Sequence, residues 1–513
     1  MTVNLGSNYT LTMTNSSAIN LPLLNRKTAP PEALLLQTTP TTGIVHIGLG
    51  NFHRAHLAAY TALAVRADGG DWGIFAYSMR STAIPDFMTA QDNLYSVVTI
   101  SPASDQIIIP AIHTKVLGGP ERVGEVLREI AQSATKIITL TVTEAGYSIS
   151  QETNGLDIHS HDIQWDLTHP ATPKTAIGII VRGLQLRAQS HKSPITVLSC
   201  DNLSSNGKRT AQLVGQFVAA LPASESKELD AYISTSVTFP NSMVDRIVPG
   251  TQPRHIVMVA NRLGVHDQSP VPAEAFTMWV LEDNFAAGRP QWEINGAIFT
   301  ENVEGYEVMK LRLLNGAHSL LSYLGALAGE ETIPGSRFLP FVEQALKTIL
   351  YQEFLPTFKL PTEVDADEYI SQLFSRWSNT VLGDLTSRVG SDGSTKLPQR
   401  ITQPVLFHAL NQEIPQYIAL TVAAWLACIA PLAGFEPGKY ADAMKDPAKN
   451  KLMDYVASSP SPVEFVHWVF TTAGIFPPEL AALSDFHNQV SSYLDLIMRD
   501  GIEAASAYAH SLS

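Results

Sequence analysis

Hydrophobic and polar positions follow two different patterns in the two halves of the chain. In the first half, short β-branched apolar runs alternate with stretches of helical periodicity, which is typical of parallel strands joined by helices. The predicted strands are a run that begins at Gly43 and those at 72–77, 136–142 and 195–199, and the predicted helices are 53–66, 122–133 and 175–189. This half is therefore predicted to be an α/β domain with a parallel sheet.

After roughly residue 300, strand-like runs become scarce and long Leu- and Ala-rich helical patterns take over. They lie at 311–328, 338–351, 366–374, 417–434, 462–470 and 489–508. We therefore expect two domains, an α/β domain at 1–300 with an irregular lead-in at 1–42, and a mostly helical domain at 301–513.

The uncharged segment 417–434 raises the question of a membrane span, since its length is close to the roughly 18 apolar residues that a spanning helix needs. It is rich in alanine, contains Pro431 and lacks flanking basic residues. These features favour a buried core helix and a protein that does not enter a membrane.

Composition narrows the functional classes. The 513 residues include 34 lysines and arginines against 48 aspartates and glutamates, a net charge of −14, and only 16% are charged. This argues against disorder, a coiled coil and nucleic-acid binding. With only Cys200 and Cys428, the chain is neither a disulfide scaffold nor a four-thiolate metal site. Together with the absence of a visible secretory signal, this predicts a cytoplasmic protein.

A glycine turn follows the first predicted strand. Gly48 allows a tight turn and Gly50 allows a pyrophosphate to approach the backbone, but His53 stands where the common dinucleotide fingerprint has its third glycine. An ordinary strand-to-helix turn remains the alternative. The second strand ends near Arg80 without a carboxylate for the ribose, so the choice between NAD and NADP stays open.

The segment KLRLLNGAH places polar groups on an apolar helix. At about 100° per residue, Asn315 lies about 140°, His318 about 80° and Glu307 about 60° from Lys310, so the four share one arc. A solvent-facing polar stripe is the alternative, but the flanking leucines favour a partly buried site. A buried lysine can act as a base there.

Three further clusters admit both a functional and a structural reading. Carboxamides in the segment 200–207 can stabilise an oxyanion or simply cap a turn. Asp245 and Arg246 form an ion pair or contact substrate. Arg388 and Lys396 flank a glycine-rich loop that binds substrate or is merely solvated.

Six segments in this order resemble one known family: IVHIGLGNFHRAH, TVTEAGY, SCDNLSSNG, TFPNSMVDRIVP, LEDNFAAGRP and KLRLLNGAHS. They are similar to the mannitol dehydrogenase family of polyol-specific long-chain dehydrogenases, which includes fructuronate reductases (mannonate oxidoreductases) and arabinitol dehydrogenases. The resemblance runs from about residue 43 to near the C-terminus. It implies a Rossmann-type N-terminal domain, a mostly α-helical C-terminal domain, NAD or NADP as cofactor and no metal.

The resemblance also implies roles for single residues. Lys310 corresponds to the general base, with Glu307 beside it, and Asn315 and Asn206 to the oxyanion donors, Asn206 being preferred here to Asn202. The positions that correspond to substrate binding are His318, Asp245, Arg388 and Lys396. The positions expected to contact the cofactor are Gly48, Gly50, Asn51, Phe52, His53, Arg54, Arg80 and Glu144.

Arg400 points to a substrate class. The segment 396–400 resembles the uronate branch of the family, and Arg400 is a natural bidentate partner for a carboxylate, although a surface arginine is the alternative. We therefore expect D-mannonate/D-fructuronate turnover, with mannitol/fructose or arabinitol as alternatives and a non-catalytic nucleotide-sensing regulator as a more distant one. The resemblance is compatible with a monomer.

Overall fold

The computed structural model describes residues 4–5, 9–10, 21–101, 106–150 and 152–513. It divides into two compact units, Met1–Glu304 and Gly305–Ser513, called here the N-terminal and the C-terminal unit.

All strands of the described residues lie in the N-terminal unit. They are β1 (Asn4–Leu5), β2 (Tyr9–Thr10), β3 (Thr42–Ile47), β4 (Gly73–Ser78), β5 (Val97–Ile100), β6 (Gln106–Ile108), β7 (His113–Gly118), β8 (Ile137–Leu140), β9 (Ile195–Ser199), β10 (Val237–Thr238), β11 (Ser242–Asp245), β12 (Val271–Glu274), β13 (Met278–Leu281) and β14 (Ile298–Phe299).

Six of these strands form a wholly parallel sheet in the order β7-β4-β3-β8-β9-β10. Numbered along the chain, this is the 3-2-1-4-5-6 order of a Rossmann fold. The direction of winding reverses between β3 and β8, and ligands of such sheets bind outside the carboxyl ends of the strands at that point. The predicted Rossmann-type fold is confirmed.

The helices of this unit are α1 (Asn51–Ala55), α2 (Leu57–Asp68), α3 (Ala83–Ala90), α4 (Val123–Ile130), α5 (His161–Thr168), α6 (Ala176–Ser190), α7 (Asn206–Ala219), α8 (Ala223–Ser236) and α9 (Pro253–Leu263). The predicted helix 53–66 is divided at His56 into α1 and α2. Thr175, the predicted start of this helix, caps the N-terminus of α6, because its hydroxyl accepts the backbone N–H of Gly178 at 2.9 Å.

Two three-stranded sheets, β11-β13-β14 and β12-β5-β6, add to the main sheet. These two sheets could not be predicted from the sequence, because each of their strands has only two to four residues. Asp245 is the last residue of β11, where it is buried and paired in register with Met278 of β13.

The C-terminal unit is helical, as predicted. After α10 (Val303–Met309), it contains α11 (Ala317–Leu327), α12 (Ile333–Arg337), α13 (Pro340–Thr348), α14 (Ala366–Trp377), α15 (Thr386–Gly390), α16 (Gly393–Leu410), α17 (Gln416–Ile429), α18 (Lys439–Asp442), α19 (Lys449–Val456), α20 (Pro462–Thr471), α21 (Pro478–Ala481) and α22 (Ser484–Leu512), which is interrupted at Gly501. Two π-helices, Lys310–Gly316 and Ile349–Phe354, interrupt the α-helical pattern.

The apolar segment examined as a membrane span is the core helix α17. Every residue from Tyr417 to Ile429 is buried, and α17 packs against α22 and α11. Among the described residues, no helix has both the length and the hydropathy needed to cross a membrane.

Candidate active site

The segment that contains Lys310, the candidate base, is a π-helix, whereas the sequence predicted an α-helix. It begins at Lys310 and ends at Gly316, and α11 continues from Ala317. A π-helix closes its hydrogen bonds between residues five apart, so it turns Asn315 toward the face of Lys310. In an α-helix these two residues would be separated by about 140°. Local π-helices occur frequently at functional sites.

The wide turn packs closely on the second π-helix. A Cβ atom at Gly316 would lie 2.6 Å from Cζ of Phe354. Only glycine therefore fits at this position. Within the π-helix, Lys310 is 9% exposed and Asn315 is partly buried, so both functional groups stand in a protected environment.

His318 lies within electrostatic range of four cations. Burial and the charges of Arg400, Arg388, Arg376 and Lys396 lower the pKa of His318 to about 3. The ring is therefore neutral at physiological pH. The four cations come from α14, α15 and α16, so the fold gathers them from three helices.

His318 also lies beside an aromatic ring that was not predicted from the sequence. The ring centroids of His318 and Trp377 are 6.1 Å apart. Nε2 of His318 and Nε1 of Trp377 are both buried, and neither has a hydrogen-bond partner among the described residues. Buried polar atoms of this kind are expected to bind a ligand or a water. Trp377 is not part of any spaced set of polar residues, so it could not be identified from the sequence.

The prediction that Arg388 and Lys396 flank a glycine-rich loop is wrong, because both residues lie on helices. Arg388 lies on α15, and Lys396 lies in the first turns of α16. The side chain of Asp446 holds the start of α16 by accepting the backbone N–H of Ser394 at 2.9 Å. Ser394 and Asp446 are 52 residues apart in the sequence. Their contact stabilises a helix in a segment whose glycine and serine content is typical of a loop.

The side chains of Arg388 and Lys396 have different surroundings. Arg388 is 62% exposed and donates to both oxygens of Asp384. Nζ of Lys396 donates to the carbonyl oxygen of Ser391 at 2.6 Å. Burial and the charge of Arg400 lower the pKa of Lys396 to about 8. Lys396 is thus a cation that titrates near neutral pH.

Arg400 contacts the π-helix directly. Its Nη1 donates to the carbonyl oxygen of Asn315 at 2.9 Å and to the hydroxyl of Ser319 at 2.7 Å. Burial lowers its pKa to about 10, with Tyr323 opposing the shift, so Arg400 stays charged at neutral pH. The alternative of a solvated surface arginine does not agree with these contacts.

In the N-terminal unit, the glycine turn lies at the carboxyl end of β3, beside the reversal of the sheet. Gly48 has φ 105°, and a Cβ there would lie 2.1 Å from the carbonyl oxygen of Thr141. At Gly50, by contrast, the nearest atom to a Cβ would be 3.8 Å away, so no protein atom fills this space. The turn therefore has the two features of a pyrophosphate-binding backbone.

Comparison with known proteins agrees with this architecture. The family profile of the mannitol dehydrogenase Rossmann domain matches residues 42–294, and that of the mannitol dehydrogenase C-terminal domain matches residues 302–498. The chain belongs to the mannitol dehydrogenase family. It is thus an oxidoreductase of a family that acts on polyols and related sugar acids.

Three relatives illustrate the range of this family. D-mannonate oxidoreductase of Escherichia coli K12 is 36% identical over 90% of this chain and 95% of that protein. Mannitol 2-dehydrogenase of Cereibacter sphaeroides is 33% identical, with the same coverage of 90% and 95%. The solved ternary complex of Pseudomonas fluorescens mannitol 2-dehydrogenase with NAD and D-mannitol has a TM-score of 0.82, at 29% identity over 96% of this chain and 100% of that one.

Two of the predicted cofactor contacts in this family member are not available to a ligand. His53 and Arg54 are completely buried. His53 stacks on His46 at a centroid distance of 3.5 Å, and Nη1 of Arg54 donates to the carbonyl oxygen of Ser269 at 2.7 Å. Helix α1 turns both side chains into the core, so their burial does not support the predicted cofactor contacts.

The other predicted cofactor residues remain accessible. Asn51 and Phe52 are partly buried at the start of α1, next to Gly50. Arg80 is exposed after β4, and Glu144 is exposed after β8. All four follow carboxyl ends of parallel strands, where a Rossmann sheet binds its nucleotide.

The two candidate oxyanion donors of the segment after β9 have different environments. Nδ2 of Asn206 donates to the carbonyl oxygens of Ser242 at 2.8 Å, Asp201 at 3.1 Å and Ser199 at 3.2 Å, and its Oδ1 accepts the N–H of Ser242. The residue is completely buried. Asn202 is exposed. The carboxamide of Asn206 therefore holds strands together, and the preference for it over Asn202 is not supported.

Asp201 has a structural role that the sequence did not reveal. Its carboxylate accepts the backbone N–H groups of Val142 at 2.9 Å and Thr143 at 3.0 Å, and the hydroxyl of Tyr147 at 2.9 Å. These bonds join the loop after β8 to the loop after β9. They fix the position of Thr143, which has φ 65°, directly before Glu144.

Proposed function

We propose that the protein interconverts D-mannonate and D-fructuronate, or a closely similar hexonate and 2-keto acid, with NAD. The observation that carries this proposal is the gathering of Arg376, Arg388, Lys396 and Arg400 around neutral His318. Arg388 is paired with Asp384, and Arg388 and Lys396 correspond to substrate-binding positions of the family in general. Arg400 is the added cation that favours a carboxylate, which must be attracted by a chain with a net charge of −14.

The N-terminal unit fits a dinucleotide. Gly48 permits the turn, and the open space at Gly50 admits the pyrophosphate to the backbone. Residues Asn51, Phe52, Arg80 and Glu144 would line the remaining contacts. NAD is favoured because the Pseudomonas fluorescens relative was solved with it. When bound, NAD accepts a hydride in oxidation and supplies one in reduction.

Lys310 is proposed as the acid–base group. In oxidation its neutral amine accepts the proton of the C2 hydroxyl, and in reduction its ammonium returns a proton to that oxygen. Glu307, one turn earlier on α10, is proposed to exchange that proton with water. Lys310 is buried within the π-helix, so its amine is shielded from bulk water.

Two carboxamides are proposed to stabilise the negative charge that develops on the C2 oxygen, Asn315 of the π-helix and Asn202 after β9. A carboxamide donates an N–H without adding a charge that would hinder proton transfer. His318 and Trp377, whose ring nitrogens lack partners, are proposed to bind substrate hydroxyls. Asp245 would orient a further hydroxyl from the end of β11.

A mannitol 2-dehydrogenase is the second candidate function, with arabinitol as a related substrate. The two curated relatives described above differ by only a few percent in identity, although one acts on mannonate and the other on mannitol. A regulator that binds a nucleotide without turnover is the remaining alternative. The retention of Lys310, Asn315 and His318 in a protected setting speaks against it.

A substrate panel tests the proposal. The rates of NADH and NADPH oxidation are measured with D-fructuronate, D-tagaturonate, D-fructose and D-xylulose. We expect the highest kcat/KM for fructuronate with NADH. A higher value for fructose or xylulose would replace the uronate assignment by a polyol one. Absence of turnover with all four, despite nucleotide binding, would favour the regulator.

Arg400→Phe tests the carboxylate assignment separately. Loss of the guanidinium should lower kcat/KM for fructuronate far more than for fructose, because only the uronate carries a carboxylate. Equal losses for both substrates would remove the argument for a uronate.

A further inference from the structure

The guanidinium of Arg400 has two edges with different partners. Both hydrogens of Nη1 are used, one by the carbonyl oxygen of Asn315 and one by the hydroxyl of Ser319. On the other edge, Nε and Nη2 form no hydrogen bond with any residue that the structure describes. The residue is partly exposed, so this second edge can meet a ligand.

The Nη1 edge contacts the catalytic segment at a sensitive point. Asn315 lies in the last turn of the π-helix, and Ser319 lies in the first turn of α11. The guanidinium therefore spans the junction at which wide helical turns give way to regular ones. Fixing the backbone of Asn315 there fixes the direction of its Cα–Cβ bond and so limits the positions that its carboxamide can reach.

We propose that Arg400 is a positioning residue that couples recognition of a substrate carboxylate to the orientation of the oxyanion donor Asn315. This inference rests on the proposed function. A carboxylate bound by Nε and Nη2 would hold the plane of the guanidinium, and Nη1 would transmit that constraint to the carbonyl of Asn315. A planar guanidinium can do both at once, whereas a lysine ammonium has no second rigid edge.

The coupling has a kinetic consequence. When binding energy from a remote substrate group is used to orient a catalytic group, its loss lowers kcat as well as raising KM. If Arg400 only bound the carboxylate, its loss would be seen mainly in the KM of a uronate. The two roles are therefore separable by steady-state kinetics.

The test uses the full-length enzyme with Arg400→Lys and Arg400→Gln, each measured at saturating D-fructuronate and at saturating D-fructose. We expect kcat to fall by about 10- to 100-fold in both variants and with both substrates, because Asn315 loses its support. The KM for fructuronate alone should rise in addition, and more in the glutamine variant than in the lysine variant.

Control measurements test whether the Arg400 variants lose activity because the protein misfolds. NADH binding by fluorescence and the thermal midpoint should stay close to the parent values in Arg400→Lys, the milder change. Arg499→Gln removes an arginine that is 64% exposed in the same unit and should leave both kinetic constants unchanged. Ser319→Ala, which removes one acceptor of Nη1, should lower kcat by a few-fold without changing the KM for fructuronate.

The outcomes separate this inference from the proposed function. An unchanged kcat with a raised KM for fructuronate would overturn the positioning role and retain carboxylate binding. A reduced kcat with no specific change in the KM for fructuronate would overturn the coupling and the uronate assignment together. If only fructose is turned over, the proposed substrate fails, while an unchanged kcat for fructose would still refute the positioning of Asn315.

Discussion

The carboxylate of Glu353 accepts the backbone N–H of Tyr417 at 2.7 Å and that of Ile418 at 2.8 Å. The second π-helix, Ile349–Phe354, thereby caps the N-terminus of the core helix α17. Burial raises the pKa of Glu353 to about 7, although these N–H groups oppose the shift. Glu353, which caps the core helix of the C-terminal unit, thus titrates within the physiological pH range.

This arrangement predicts a pH-dependent stability. Since the pKa of Glu353 rises from 4.5 in the unfolded chain to about 7 in the folded protein, the folded state binds the proton more tightly. The resulting contribution is complete below pH 4.5 and is lost as pH rises to about 7; it amounts to about 3 kcal/mol at most. Glu353→Gln cannot ionise and should flatten the pH dependence of the free energy of unfolding between pH 5 and 8. An unaltered slope in that variant would contradict the prediction.

Lys310→Ala should reduce kcat by at least about 100-fold, because the acid–base group is removed. Nucleotide binding should persist, since the glycine turn lies in the other unit. Stopped-flow measurement of NADH oxidation and fluorescence titration with NADH check the two statements. As a matched control, Lys347→Ala changes an exposed lysine of α13 and should keep the parent rate. Near-normal turnover of Lys310→Ala would refute the assignment.

Asn202→Ala and Asn206→Ala should fail in different ways. The first removes the proposed oxyanion donor and should lower kcat by about 100-fold with little change in thermal midpoint. The second removes buried hydrogen bonds to three carbonyl groups and should lower the thermal midpoint strongly. Circular dichroism and steady-state kinetics on both variants decide the matter. The reverse pattern would restore Asn206 as the donor.

Lys396 should make uronate binding pH-dependent. Its pKa is lowered to about 8 by burial and by Arg400, so it is charged below pH 8 and neutral above it. The KM for fructuronate should therefore rise by about 10-fold between pH 7 and 9, whereas the KM for fructose should stay nearly constant. Lys396→Arg keeps its charge across this range and should remove the rise. A parallel rise for fructose would argue against a carboxylate contact.

The sequence predicted those elements whose signal is local. The strands of the main sheet are β-branched apolar runs, and the positions of β4, β8 and β9 agree with them. The helix α16 was missed because Gly393 and Pro398 suggest a loop, whereas Asp446 fixes its start from far along the chain. The π-helix was missed because residue spacing does not distinguish a wide helical turn from a regular one.

The candidate site shows the same limit. Lys310, Asn315 and His318 could be found because they share one segment. Arg376 and Trp377 could not be found in this way, because α14 is many residues away from that segment and is brought near His318 only when the chain folds. Burial of His53 and Arg54 was unexpected because charged and polar residues are usually exposed.

The division of candidate residues between the two units bears on how new specificities arise in such proteins. The cations around His318 all lie after residue 304, and the glycine turn lies before it. If these cations bind a charged substrate group as proposed, substitutions among them leave the backbone of the glycine turn unchanged. A chimera carrying the C-terminal unit of a mannitol-specific relative would exchange the cations around His318 while it keeps the glycine turn and Asp245 of this chain.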